Sequence, residues 1–470
     1  MSTTIKQTRA ALEPAFRKLK ERSRLFRSEK ISARVDRLEK LEEWLTDHEA
    51  ELQQVVFKDL GKPAMEASTS ELFPVLAEIN HTIDNLDRWA RPTKVDAPLT
   101  FIGTRSEIRY EPKGACLIIA PWNYPFSLCI GPLVSCLAAG NTALVKPSEL
   151  TPNTSAFVAK LAREVFDEDV VTVVEGDADT ASALLELPFD HIFFTGSPAV
   201  GKIVMRAAAD RLASVTLELG GKSPAIVDTT ADLTDAAKRI AFGKFLNNGQ
   251  TCIAPDYVLV DNSVKDRFIS LLKESVGELF ANPEDYGRIV NGRHFTRLSN
   301  LVKDAIDKGA VPVLTGEFKE SERLFPPTIL SGITNDMLLM EEEIFGPVLP
   351  VVGLDVKAGA IDLINSKPKP LALYVFSYDK TFREKVLKET SAGGVCVNDC
   401  VLQFIHPNLP FGGVNNSGIG KAHGHAGFLA FTNEKPVVRQ KSGYSNAYLF
   451  YPPYTSLKRK ILALILRWFL

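Results

Sequence analysis

At 470 residues the chain is too long for one ordinary core and should hold two or three domains of about 150 residues each. With 45% hydrophobic and 24% charged residues, its composition is that of a soluble globular protein. A formal net charge of -2 offers no basic field to nucleic acid, and no zinc-finger, RNP or helix-turn-helix pattern occurs, so a nucleic-acid partner is excluded.

The opening segment, MSTTIKQTRAALEP, lacks the apolar core of a secretory signal, so no leader is expected. Apolar residues recur at three- and four-residue spacing through Leu38, Leu41, Leu45, Leu52, Val55 and Val56, predicting helices over the first ninety or so residues. Alternation over Phe101–Tyr110 predicts an extended ribbon. From Gly114 short apolar runs (CLIIAP, TALVKP, VTVVEG, HIFFTG) alternate with amphipathic stretches such as Thr154–Phe166 and Thr180–Leu187. Strands that are apolar on both faces and alternate with helices imply a parallel sheet covered on both sides, the doubly wound, dinucleotide-binding architecture. A second series (SPAIV, DYVLVD, PPTIL, LALYVFS, GVCVND) follows a domain change near Gly220-Gly221. From about Asp399 the chain is rich in Gly, Asn and Pro and is expected to run over the surface. Lys458, Arg459 and Lys460 precede the final ILALILRWFL. Ten residues of helix reach only about 15 Å, half a bilayer core, so this tail lies in a membrane surface or docks on protein.

Six cysteines (Cys116, Cys129, Cys136, Cys252, Cys396 and Cys400) form no CxxC pair, which argues against a disulfide framework and for a reducing compartment. One stands apart. Cys252 follows Asn247-Asn248-Gly249-Gln250-Thr251, a polar and flexible approach in which a thiol can act as a nucleophile, where a lone cysteine is otherwise a small buried hydrophobe. In TLELGGKSP, Glu218 sits between leucines at a strand end. Apolar surroundings would raise its pKa toward that of a useful base, the other reading being a solvated strand-end carboxylate. Asn123, bracketed by Pro121 and Pro125, is either an oxyanion donor or an ordinary turn residue. FFTGSPAVGK is a strand, a small-residue turn and a helix start, the place where phosphates bind, although Gly196 and Gly201 fall short of GxGxxG. Lys146 and Glu149 follow a strand at its carboxyl end and would bond ribose hydroxyls or remain solvated charges. Glu343 differs from a solvated acidic run because Ile344-Phe345-Gly346-Pro347 follows it, and LPFGGVNNSGIG suits a loop passing close to a site.

Taken in order, these seven segments resemble the aldehyde dehydrogenase superfamily over nearly the whole chain. LELGGKSP is similar to its glutamate signature and FLNNGQTCIAPD to its cysteine signature. PWNYPF, TCIAPDY and LPFGGV resemble the class 3 branch of fatty-aldehyde and coniferyl-aldehyde enzymes. The resemblance implies an α/β fold with a Rossmann-like cofactor domain (1–98 and 113–220), an α/β catalytic domain (221–398), a small bridging β arm (99–112 and 399–445) that makes a homodimer, and a tail (446–470) with an apolar helix. It implies NAD as cofactor, NADP as the alternative, no metal, and a medium- or long-chain aliphatic, or aromatic, aldehyde as substrate. Cys252 would form a thiohemiacetal and then a thioester, Asn123 would stabilise the oxyanion, and Glu218 would activate the hydrolytic water. Lys146 and Glu149 would hold the adenosine ribose, Gly196 to Gly201 with Ser197 the pyrophosphate, and Glu343, Phe345, Trp122 and Leu219 the nicotinamide end. Tyr124 and Tyr257 would line the substrate pocket. Asn415-Asn416 and KAHGHAG depart from the commoner forms at the substrate entrance. A coenzyme A-acylating enzyme and a non-catalytic binding protein on the same fold are the competing readings. The expected location is cytoplasmic, with peripheral contact on the inner membrane face through the tail.

Overall fold

The structure, a computed structural model, describes residues 7–98, 101, 103–443 and 445–469. The predicted N-terminal helices are present as Arg9–Phe26, Ile31–Asp47, Glu49–Leu60 and Phe73–Ala90. Each buries one stripe: Leu12, Phe16 and Leu19 in the first, Leu38, Leu41 and Leu45 in the second.

Two sheets form the body. The first runs, edge to edge, Gly418–Ile419, Ser214–Leu219, His191–Gly196, Ala115–Ile119, Thr142–Lys146 and Val171–Val173. All its pairings are parallel except that of Gly418–Ile419 with Ser214–Leu219. Ala115–Ile119 has the next strands in sequence on one side and later ones on the other. The order reverses there, and the carboxyl ends leave a crevice. The second sheet runs Val311–Leu314, Thr328–Ser331, Val348–Leu354, Tyr257–Asp261, Pro224–Val227, Ala372–Phe376 and Gly394–Val397, parallel apart from its first pair. Both sheets are covered on two faces. Along Ala115–Ile119, Cys116 and Ile118 join one apolar cluster while Ala115, Leu117 and Ile119 join another.

A third sheet is antiparallel: Thr93–Val95, Thr104–Pro112 and Thr432–Gln440. The expected ribbon is therefore present but shifted. It starts at Thr104, takes in Thr93–Val95 ahead of residue 99, and leaves Phe101 outside the strand; Ile102 lies outside the described residues. The segment after Asp399 departs from a surface path. Phe411, Phe428 and Phe431 are buried, and Gly418–Ile419 extends the first sheet. Its glycines serve close packing: a Cβ on Gly412 would stand 2.7 Å from the Gly420 carbonyl oxygen. The tail forms the helix Ser456–Phe469, with Leu457, Leu464 and Leu466 exposed. Among the described residues no helix is long and apolar enough to cross a membrane.

Candidate active site

After the helix Leu233–Phe245 the chain turns through Asn247, Asn248 and Gly249, whose φ angles are 52°, 52° and 71°. Asparagine tolerates the left-handed region, and glycine enters it freely. The turn is rigid. Asn247 Nδ2 donates to the carbonyls of Asn123 (2.8 Å) and Gln250 (3.1 Å), and its backbone N–H donates to Glu66 (2.8 Å). Gln250 donates to the carbonyls of Asn247 and Arg288 and accepts from the N–H of Val290. This corrects the expectation of a flexible approach: these side chains are buried, burial demands partners, and the partners fix the loop. It presents Cys252, half-buried, to a cavity of about 280 Å³.

The cavity opens at the sheet reversal, where the turn after Ala115–Ile119 brings in Asn123. Lys62 Nζ (3.5 Å) and Asn247 Nδ2 hold the Asn123 carbonyl, and Asn123 Nδ2 donates to the Gln250 carbonyl at 3.0 Å. A primary amide has two N–H donors, so one remains for a ligand. Behind the turn lies a fully buried ion pair, Lys62 to Glu71 at 2.7 Å, and Glu71 also accepts from the N–H groups of Phe126 and Ser127.

Glu218, next to last in Ser214–Leu219, is 5% exposed, and neither of its oxygens has a hydrogen-bond partner. Burial pushes its carboxyl well above the usual range, with Lys421 acting in the opposite sense. Thr195, paired with it on the next strand, also has an unpartnered buried hydroxyl. Burial, then the charges of Glu343 and Glu218, pushes the Cys252 thiol up to about 12. Burial, then Asp256, raises Glu343 to about 8. Burial thus opposes ionisation throughout the resting cavity, and its orphaned oxygens mark positions for water or ligand.

Trp122, Gly196, Ser197, Leu219, Glu343 and Phe345 line the same cavity. Ser197 caps the helix Pro198–Ala209 by accepting from the N–H of Val200. Close packing fills the space at Gly196 and Gly201, where a Cβ would stand 2.5 Å from the Phe194 ring and 2.7 Å from Leu219. A strand end, an N-capped helix and a free Thr195 hydroxyl fit a dinucleotide. Lys146 lies at the carboxyl end of Thr142–Lys146, outside the cavity wall, with its ammonium on Glu149 at 3.2 Å and the Pro147 carbonyl at 3.0 Å. The two expected pocket tyrosines lie elsewhere. The Tyr124 hydroxyl sits 2.6 Å from Thr251 Oγ1, behind the cysteine loop, with Lys62 over its ring. Tyr257 opens a central strand of the second sheet and is 1% exposed in its core. Strand alternation turns it to the packed face.

Sequence reasoning missed several cavity residues. Arg297 ties the Glu343 loop by donating to the carbonyls of Glu343 (3.2 Å) and Ile344. Lys222 does the same from below, paired with Asp256 and donating to the carbonyls of Leu339 (2.7 Å) and Glu342 (2.8 Å). Phe404, Ile405, Phe411 and His423 wall the outer end. Nothing local distinguishes Arg297 from the other charges of its helix. For the wall residues, aromatics interleaved with the glycine-rich loop were the available signal.

Such an arrangement belongs to the dinucleotide-dependent oxidoreductases. Comparison makes the class specific: residues 1–437 match the aldehyde dehydrogenase family, and the chain belongs to it. It is 44% identical over 428 residues to the 4,4'-diaponeurosporen-aldehyde dehydrogenase of Staphylococcus aureus, covering 90% of this chain and 92% of the relative. It is 41% identical over 452 residues to aldehyde dehydrogenase family 3 member A2 of Mus musculus, covering 95% and 92%. Among solved structures it is similar to the substrate-bound state of Staphylococcus aureus AldH, with a TM-score of 0.93, 42% identity, and 97% and 99% of the two chains covered. It is also similar to Mycobacterium tuberculosis aldehyde dehydrogenase complexed with NAD+, with a TM-score of 0.85, 28% identity, and 93% and 92% covered. The class 3 branch implied by the motifs is borne out, as are the fold and the use of NAD(P). The protein is an oxidoreductase acting on aldehydes.

Proposed function

We propose that the protein oxidises an apolar aldehyde, aliphatic or aromatic, to its carboxylic acid through a covalent intermediate on Cys252. The observation that carries the reading is the meeting of Cys252, Asn123 and Glu218 on one cavity, with both Glu218 oxygens free. The Cys252 sulfur gives its proton to water and bonds to the aldehyde carbon, whose carbonyl π electrons pass to oxygen, giving a thiohemiacetal oxyanion. The free amide N–H of Asn123 and the backbone N–H of Cys252 stabilise the oxyanion. A nicotinamide dinucleotide, when bound, would supply the hydride acceptor. Loss of hydride leaves a thioester on Cys252. Glu218 takes a proton from water, whose oxygen bonds to the acyl carbon, and the acid leaves as the thiol is restored.

Glu343, Phe345, Trp122 and Leu219 would hold the nicotinamide end, Ser197 and the Gly196–Gly201 turn the pyrophosphate, and Lys146 and Glu149 the adenosine ribose. The Glu149 carboxylate would repel a 2′-phosphate, which favours NAD over NADP. The apolar outer wall, with Leu128, Phe404, Ile405 and Phe411, supports an apolar substrate. Glu218 argues against transfer to coenzyme A, since a thiol needs no water-activating base. A kcat/KM series over aldehyde chain length, with NAD and NADP compared and coenzyme A omitted, tests the whole. Cys252→Ala should abolish NADH formation, and full turnover in that variant would overturn the mechanism.

The reading includes a homodimer joined through the three-stranded sheet, and a tail that rests on anionic membrane. Supporting the latter, Leu457, Leu464 and Leu466 are exposed on a helix that carries Lys458, Arg459 and Lys460. Liposome flotation with and without residues 455–470 decides it, equal flotation refuting membrane contact.

A further inference from the structure

Glu218 is a poor place for a charge. It is buried, its oxygens are unpaired, and burial discourages ionisation, while Cys252 from the cysteine loop and Glu343 from the loop before Val348–Leu354 share its cavity. The neighbouring strands bring only Thr195 and Gly418 opposite it. Yet a base that stays protonated at neutral pH cannot accept a proton from water. The compensating charge comes from the last glycine-rich loop. A Cβ on Gly412 would stand 2.8 Å from Glu218 Oε1 and 3.0 Å from Lys421 Cδ, so carboxyl and lysine stem lie against the same backbone atom.

The Lys421 ammonium donates to three carbonyls, those of Gly412, Gly413 (3.4 Å) and Gly393 (3.3 Å). Three acceptors use up its three N–H groups. It therefore makes no direct bond to Glu218, and it cannot swing out to water without breaking the cage. Neutral carbonyls leave its positive charge uncancelled, and that charge acts on the carboxyl through a poorly screened interior. The influence is mutual: burial lowers the Lys421 ammonium, and Glu218 opposes the lowering. His423, two residues on, does not share the role. Its ring packs on Phe404 and Phe411, and burial holds it neutral, down to about 4.

We propose that Lys421 is a positioning residue for the second half of the reaction: its caged charge keeps Glu218 able to ionise and so sets the lower pH limit of thioester hydrolysis. The inference rests on Glu218 being the water-activating base. It assigns to the KAHGHAG loop, which borders the outer wall, a part in the chemistry.

The test uses the full-length enzyme with NAD and an aldehyde, in the wild type and in Lys421→Met, Lys421→Gln and Lys421→Arg. Two steps are read at each pH from 5 to 9: the first-turnover NADH burst, and the decay of the acyl-enzyme mass. A nearby opposite charge commonly shifts a carboxyl by about one pH unit or more. The acid limb of acyl-enzyme decay should therefore move up by about one unit in the Met and Gln variants, about a tenfold slowing on that limb, with the burst retained. The Arg variant should keep the wild-type limb. An unmoved limb in the neutral variants overturns the proposal, as does an equal shift in all three. Unfolded Met and Gln variants beside a wild-type Arg profile would make Lys421 a structural tie and also overturn it. Failure to detect any acyl adduct on Cys252 in acid-quenched wild-type or Glu218→Gln enzyme, with NADH still formed, would instead refute the covalent reading itself.

Discussion

Replacing Asn123 with alanine removes one amide and leaves the turn that carries it. The backbone of Asn123 is held independently, its carbonyl accepting from Asn247 and Lys62, so the loop should keep its path. Two things are lost. The bond from Asn123 Nδ2 to the Gln250 carbonyl, 3.0 Å long, disappears, but that carbonyl still accepts from Asn247 Nδ2 at 3.1 Å. The stability cost should therefore stay near 1 kcal/mol. The second amide N–H, the one free to meet an oxyanion, is lost as well. Removing such a donor costs about 3 kcal/mol in the transition state, or ~10²-fold or more in rate. Denaturant unfolding and first-turnover NADH formation separate the two effects. The expected result is a nearly normal midpoint with a burst slowed by about two orders of magnitude. A burst within threefold of the wild type would refute the role of Asn123, and a collapse of stability would refute the independence of its turn.

Lys62→Met strands the Glu71 carboxylate at a site where both partners have no exposed surface, and should cost about 3–5 kcal/mol in urea unfolding, most of it recovered by adding Glu71→Gln; a loss under 1 kcal/mol would show the pair to be dispensable. Glu343 keeps its proton in the fold up to about pH 8, against 4.5 for an ordinary glutamate, so between these values the native state binds more protons than the unfolded one and stability falls as pH rises. Glu343→Gln should flatten that decline by about 3 kcal/mol, read from unfolding curves at pH 5 to 8; parallel wild-type and variant curves would contradict it.

Much of this molecule is legible locally because its strands are buried on both faces. Runs such as Ala115–Ile119 and Ala372–Phe376 are apolar at every position, and no surface helix of this size reads that way. Val348–Leu354 escaped notice because Pro350 argues against a strand, yet it pairs with Leu330 inside the sheet. Residues of the candidate site were legible where a residue and its local frame are adjacent, as with Cys252 after its asparagine turn or Glu218 before two glycines, both of which line the cavity. Tyr257 was misplaced because facing cannot be settled without strand register. Arg297 carries no local mark, and Lys421 shows only as the start of a loop that departs from the commoner family form, with no chemistry attached to it. Each matters through groups far along the chain, Lys421 through the Gly393 carbonyl and Glu218, Arg297 through the Glu343 loop.

The two-residue strand Gly418–Ile419 has a consequence for assembly. It closes the edge of the first sheet beside Glu218, pairing positions 418 and 218, and Lys421 follows directly. During synthesis the thiol and its oxyanion amide can be in place while this closing piece is still unmade. Contacts that distant in sequence are late and slow to form. A chain interrupted before Phe411 would lack both this closing strand and Lys421, the charge that opposes the burial of Glu218. The surroundings of Glu218 are thus complete only when the C-terminal loop has been made and has paired with the first sheet.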